Sequence, residues 1–357
     1  MHKKTIQPVH IFGSDPFIRI LHFKPLSLAM LTLAVGVLYQ FGLSGIYGSL
    51  YPAGGVIHSA SADYFNMVNF IFIIPSVAYY YLLQPLRIAN VYRSVSIHLY
   101  NKTSSVEIDF SKWHQNPLPW VSGLLLAAIT VWLGIADNLN KIGIYWYATN
   151  GLTIAILQVL RAYTMYLLVV IVGRHLITAY ALNKIMAHVD LPLILTPSRR
   201  NQALQVITGY AFSFATIGAI VGLNLGLQPV LSNPPLPEYY LFIALYLLLV
   251  PLGFFLPLWQ THKKLRTTKR NVLKRLRDKM QREYEVLIAQ KEEATEQQMS
   301  HVKTLYDTIK IVEESAEWPF QINALFRLVS TVIFPFLFAI LDWLFTLMDI
   351  GSGIFSS

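Results

Sequence analysis

The chain has 357 residues, 54% of them hydrophobic and only 13% charged. Soluble domains carry about 25% charged residues, and the apolar residues here come in long blocks, so an ordinary soluble enzyme and a disordered chain are both excluded. The formal charge is +9 and cysteine is absent, which removes disulfides, thiolate metal sites and a cysteine nucleophile.

In chain order, a short polar segment, residues 1–25, precedes the first apolar block. That block is longer than the apolar core of a secretory leader and shows no small-residue cleavage site, so it reads as a retained span. About 20 apolar residues cross about 30 Å of hydrocarbon. Six blocks are long enough, at 26–48, 65–88, 118–136, 151–172, 204–226 and 239–259. A seventh, 326–348, is expected to span, although Pro335 and Asp342 leave a re-entrant or interfacial helix as the alternative. The expected fold is all-α: a polytopic helical membrane protein with six or seven transmembrane helices. Residues 26–260 would form a six-helix domain, 261–317 a cytoplasmic charged helical hairpin between the sixth and seventh helices, and 318–357 an elbow with the seventh helix.

Lys and Arg favour the cytoplasmic side. With the N-terminus inside, 26 of the 28 basic residues fall on the inner face, the exceptions being Lys141 outside and Arg161 within the fourth span. Trp120, Trp132, Tyr145-Trp146-Tyr147, Tyr239-Tyr240 and Trp259 cluster near span ends, where amphipathic rings favour the headgroup level. Segment 139–150 is too short to span and is expected in the outer interface or at the start of the fourth helix.

Residues 261–317 contain neither Gly nor Pro. Ten basic residues and one acid lie between Lys263 and Arg282, and nine acids and three lysines between Glu283 and Glu317. One straight helix of this length would reach about 85 Å from the membrane, yet the next block is membrane-seeking. The segment should therefore fold back near 290–300, setting basic beside acidic arm and two apolar islands face to face, Leu273 to Leu287 and Val302 to Val312. Its root, Lys263, Lys264, Arg266, Lys269 and Arg270, suits anionic lipid headgroups. Pairing of the islands between subunits is the alternative. Nucleic acid is not expected, because the run abuts a membrane helix and lacks interleaved aromatics. Trp318-Pro319-Phe320 should end the hairpin in an elbow.

Gly218, Gly222 and Gly226 recur every four residues in the fifth span, extended backward by Ala211 and Ala215. Small residues at this spacing let helices approach closely in lipid, within one chain or between subunits. Prolines 75, 85, 251, 257 and 335 interrupt several spans, and each frees a backbone carbonyl that protein or a wet cavity must satisfy. Asn116-Pro-Leu-Pro119 and Asn233-Pro-Pro-Leu-Pro237 precede the third and sixth spans. They hint at an inverted repeat of the kind secondary transporters use.

Ionisable residues at membrane depth are costly and usually have a role. Arg161 stands about 15 Å into the fourth span, with Gln158 and Thr164 on a similar face. Asp342 and Asp137 are its candidate partners, either as a structural pair or as groups beside a conducting path that disfavours cations. Asn224 and other polar residues at depth could line a wet cavity. Motifs for a zinc protease, a phosphate-binding loop and a serine hydrolase are all missing, so no catalytic residue, metal or cofactor is assigned and an enzyme is not expected. The leading expectation is a homo-oligomeric ion or small-solute channel with an anion-leaning path, in a plasma or bacterial inner membrane, its ligand unassigned. A membrane-anchored assembly or signalling protein acting through the hairpin is the alternative, and a secondary transporter the third.

Overall fold

The computed structural model describes residues 15, 18, 24–51, 59–98, 115–139, 145–148, 150–189, 191, 199–231, 238–289, 296–315, 317–318 and 322–337. Helices account for the regular structure among them, with no strand. Six helices are long and apolar enough to cross a membrane, which makes this a multi-pass membrane protein.

Helix α1, Pro25–Ile46, begins with a proline in its first turn, where the missing N–H costs nothing. It contains a π turn at Leu38–Leu43. Helix α2 comprises Tyr64–Val68, a π turn at Asn69–Ile73, and Ile74–His98. Asp63 caps it, its Oδ1 accepting from the Asn66 N–H at 3.0 Å. The two helices meet where a Cβ on Gly36 would come within 2.9 Å of the Phe70 carbonyl oxygen. Helix α3, Leu118–Leu139, is started by Asn116, whose side chain accepts from the Leu118 N–H at 3.0 Å. Helix α4, Gly151–His188, opens with a reciprocal cap between Asn150 and Thr153. Its 38 residues extend about 57 Å, well beyond one bilayer core. Helix α5 is Arg199–Leu231. Helix α6, Glu238–Phe255, passes through a 3-10 turn at Leu256–Leu258 directly into α7, Trp259–Ala289. Helices α8, Glu296–Glu314, and α9, Ile322–Ile333, complete the described chain.

Helix α4 is the hub, in contact with α2, α3 and α7. Helix α3 rides on it at the periphery, with Leu125, Trp132 and Leu133 facing outward. Two glycines allow their close approach. A Cβ on Gly123 would meet Tyr166 at 3.0 Å, and one on Gly173 would meet Pro119 at 2.9 Å.

The small-residue stripe of α5 faces α6 within the chain. Val250 fills the space over Gly218, and Tyr246 that over Gly222. Phe214 of α5 reciprocates by filling the space over Gly253 of α6. Gly226 is also buried. The glycines thus admit side chains as knobs rather than bare backbone.

Before α4, Trp146–Ala148 forms a 3-10 turn that is buried in the protein, and Trp146 joins Tyr39, Phe70 and Leu157 in an apolar cluster. Its indole Nε1 donates to Asp63 at 2.9 Å, and Tyr39 donates to the Thr153 carbonyl at 2.9 Å. Both polar tips therefore find partners inside the protein.

In the charged segment the described helices are α7, which ends at Ala289, and α8, which begins at Glu296; the stretch expected to turn, 290–300, lies in part outside the described residues. Helices α7 and α8 run antiparallel, with Arg277 2.6 Å from Glu313 and Arg266 3.8 Å from Glu317. Leu305, Ile309 and Val312 are buried. Beyond α8, Trp318 stacks on His262 of α7 at 3.9 Å and lies 5.7 Å from Phe255 of α6. Helix α9 then runs beside α5 and α6. Leu328 joins the cluster of Phe254 and Leu258, and Phe336 reaches Tyr246 at 5.5 Å. Residues 338–357, including Asp342, lie outside the described residues.

Candidate functional site

The densest buried polar group lies between α2, α4, α5 and α6, and two prolines explain its position. A proline has no N–H, so the carbonyl four residues earlier loses its helical partner. Pro85 of α2 frees the Tyr81 carbonyl, which accepts from Arg174 Nη1 at 3.2 Å. Pro257 beyond α6 frees the Gly253 carbonyl, which lies 2.7 Å from His175 Nε2. A carbonyl only accepts, so Nε2 carries the proton. Adjacent residues of α4 therefore complete the backbones of two different helices. Asn183, two turns further along α4, works in the same way at the 3-10 turn. Its Nδ2 donates to the Leu256 carbonyl at 2.7 Å, and its Oδ1 accepts from the Gln260 N–H at 3.2 Å.

Arg174 is 3% exposed and forms an ion pair with Asp15, which is equally buried. Asp15 precedes α1 by ten residues, so a carboxylate from outside the regular helices sits in the bundle interior. Its Oδ2 accepts from Arg174 Nη2 and, at 2.8 Å, from the Tyr81 hydroxyl. Its Oδ1 accepts from the Tyr166 hydroxyl at 3.2 Å. The guanidinium carbon lies 4.5 Å from the centre of the Tyr81 ring, a cation–π distance. One cation, two phenols and an aromatic face surround a single carboxylate. This is the donor-rich arrangement by which guanidinium and phenol groups hold a buried carboxylate.

Polar side chains continue past this pair. Gln84 donates to the Ile171 carbonyl at 2.8 Å, and Tyr80 and Ser213 share a hydrogen bond of 3.0 Å. The His175 ring is sandwiched between Phe214, at 3.8 Å, and Tyr210, at 4.9 Å. The His175 Nδ1 atom is buried with no hydrogen-bond partner among the described residues, while the Tyr210 hydroxyl lies beside the Thr178 and Gln84 side chains. An unmet buried acceptor is costly, so a water is the natural partner of Nδ1.

Of the residues singled out in the sequence, Arg161 is partly buried and close enough to Tyr39 to influence its hydroxyl electrostatically. It forms no ion pair among the described residues. The Asp137 side chain, like Asp342, lies outside them. Gln158 is buried against Gly134 of α3, with neither amide atom partnered. Thr164 donates to the Leu160 carbonyl at 2.8 Å, and Asn224 Oδ1 is buried and unpartnered. Thus, among the described residues, Arg161, Gln158, Thr164 and Asn224 are not joined to the inner site. At the charged root, Lys263, Arg266 and Arg270 are exposed and Lys264 partly so. Lys269 instead turns into the helix pair, donating to the carbonyls of Glu313 at 2.7 Å and Ser315 at 2.9 Å. Among the described residues, no group of three His, Asp or Glu could hold a metal ion.

The sequence reading placed Arg174 in a loop, because the apolar block ends at 172. It passed over Asp15 and His175. The available signal was in the prolines, whose freed carbonyls had to be met by donors from a neighbouring helix. No protein-family model, curated protein or solved structure matches the chain.

Proposed function

We propose that this membrane protein conducts small anions through the core of α2, α4, α5 and α6 within one chain, and that the structure represents its closed state. The observation that carries the reading is the Arg174 centre: a buried cation paired with Asp15 and flanked by tyrosine hydroxyls, with the unpartnered His175 Nδ1 in the same four-helix core. Paired with Asp15 the Arg174 charge is neutralised, as a closed state requires; with Asp15 withdrawn it would repel cations and favour anions. Arg161, nearer the outer end of α4, provides a second such charge, about 20 Å from the first along the helix. This reading moves the path away from the last span and a symmetry axis and into the core of the single chain. It involves no covalent chemistry. The positive-inside bias of the sequence supports an orientation with the N-terminus and the α7–α8 pair on the cytoplasmic side of a plasma or bacterial inner membrane.

A second reading, assembly or signalling through α7 and α8, is favoured by the apolar side chains this pair exposes, including Tyr284, Ile288, Tyr306 and Ile311. Homo-oligomerisation through these side chains is compatible with both readings.

The test is flux into liposomes loaded with purified protein, comparing chloride, nitrate and formate with potassium. Anion flux that exceeds potassium flux, with the ratio falling about tenfold in Arg174→Gln and partly retained in Arg174→Lys, supports the reading. Lysine keeps the charge but not the planar fork. Absence of anion flux in wild type and in Asp15→Ala would refute it and favour the assembly reading. Because the chain has no cysteine, single cysteines at Lys141 and Arg266 report the orientation without background. An impermeant maleimide applied outside should label only the first.

A further inference from the structure

The site that holds Asp15 has the chemistry of a ligand site. The carboxylate is buried, receives three charged or phenolic donors, and comes from a residue outside the helices that build the site. Arg174, Tyr81 and Tyr166 belong to α4 and α2, and proline-freed backbone braces the arginine from below. The donors satisfy both carboxylate oxygens, Oδ2 twice and Oδ1 once. We propose that Arg174, Tyr81 and Tyr166 form a binding site for small monocarboxylate anions, that Asp15 is its resident occupant, and that a free carboxylate competes with Asp15 for it. The proposal deepens the anion-conducting reading and rests on it. The occupied state then explains why the described core is closed.

Two quantities shape the test. A three-heavy-atom ligand such as formate binds no tighter than millimolar, because each atom supplies limited free energy. Asp15, being tethered, presents itself at an effective concentration of about millimolar or higher. Formate should therefore be nearly invisible to the wild type and visible once Asp15 is gone. Asp15→Ala removes one carboxylate and leaves Cβ, so the vacated space matches formate, then acetate, and excludes propionate.

The experiment measures thermal unfolding of the purified protein in detergent, by tryptophan fluorescence, at constant ionic strength. Sodium formate, acetate, propionate, chloride and phosphate are the probes. In Asp15→Ala, formate should raise the midpoint saturably with a half-effect in the millimolar range, acetate less, and propionate and phosphate not at all. Wild type should need at least about tenfold more formate for the same shift. Asp15→Asn keeps the space filled and should not respond. Arg174→Gln added to Asp15→Ala should abolish the response. If Asp15→Ala is recovered only in formate, Asp15→Ser is measured beside it; a hydroxyl keeps one partner for Arg174 while leaving room for formate. A folded Asp15→Ala or Asp15→Ser that ignores formate overturns the proposal, as does an equal response to chloride and phosphate. Flux is read separately on the same variants. Formate binding without flux retains the site and refutes conduction, whereas flux without saturable binding does the reverse.

Discussion

The contact between His175 and the carbonyl freed by Pro257 can be tested on its own. His175→Ala orphans the Gly253 carbonyl, at a cost of about 1–3 kcal/mol for an unsatisfied buried acceptor. It also removes a ring held at 3.8 Å from Phe214 and 4.9 Å from Tyr210, worth about 0.5–1.5 kcal/mol per aromatic pair. The total loss should be about 2–6 kcal/mol. Pro257→Ala restores an N–H one helical turn from the same carbonyl. In wild type that N–H competes with an existing partner and gains little, while in the His175→Ala background it meets an orphan. The double variant should therefore recover about 1–2 kcal/mol relative to the sum of the single changes. The greater unfolded-state freedom of alanine is common to both backgrounds and cancels in the cycle. Equilibrium unfolding in mixed micelles with increasing dodecyl sulfate, followed by tryptophan fluorescence, gives the four free energies. If Pro257→Ala has the same effect in both backgrounds within about 0.5 kcal/mol, the limit of additivity for uncoupled sites, then proline-freed backbone is not what anchors His175.

Three further outcomes follow from the same packing. Asp15 and Arg174 have side chains only 4% exposed, so Arg174→Gln alone should cost about 3–5 kcal/mol by stranding a buried carboxylate; adding Asp15→Asn should cost less than the sum, whereas strict additivity on the same titration would deny the pair. Gly218→Leu must displace Val250, which a Cβ already approaches at 2.8 Å, and should destabilise by about 1–3 kcal/mol; Gly209→Ala, on the same helix with nothing within 4 Å, should stabilise by about 0.5–1 kcal/mol, so matching signs would contradict the α5–α6 interface. In the α7–α8 pair, Arg277→Ala removes an exposed ion pair and should cost under about 1 kcal/mol, while Ile309→Ala empties a buried position and should cost about 2–5 kcal/mol; limited proteolysis of the pair would rank the two.

Six spans were legible because each is a long apolar block, a signal that needs no partner to interpret. Two helical arms in 261–317 had a sequence signal, two apolar islands separated by a polar interval, although residues 290–295, where the chain would turn, lie outside the described residues. The buried site was much less so. Arg174 lies just past the end of an apolar block, and composition cannot distinguish a guanidinium in loop water from one turned back into a helix bundle. The 38-residue length of α4 emerges only when the helix is seen to continue beyond the bilayer thickness. Asp15 was harder still, because its partners are 66 to 159 residues away and nothing local marks it. The aromatic run around Trp146 is visible near a span end, but its packing against Tyr39 and Phe70 and its bond to Asp63 depend on residues distant in the chain.

The prolines connect the legible part to the illegible part. On its own, each of Pro85 and Pro257 says only that a carbonyl four residues earlier lacks its helical partner. The membrane interior supplies no water to take its place, so each proline demands a donor from another element. Arg174 and His175 answer both demands from consecutive positions on α4, which fixes α2 and α6 to the same point on the hub. A buried guanidinium also needs a counter-charge, and Asp15 supplies it. A lysine, histidine or amide could serve one carbonyl at lower desolvation cost. The guanidinium has five donors in a planar fork, and here that fork spans a main-chain oxygen on one side and a carboxylate with two attendant phenols on the other. Both contacts answer a structural demand, and competition by formate is the direct means of deciding whether the second also serves a ligand.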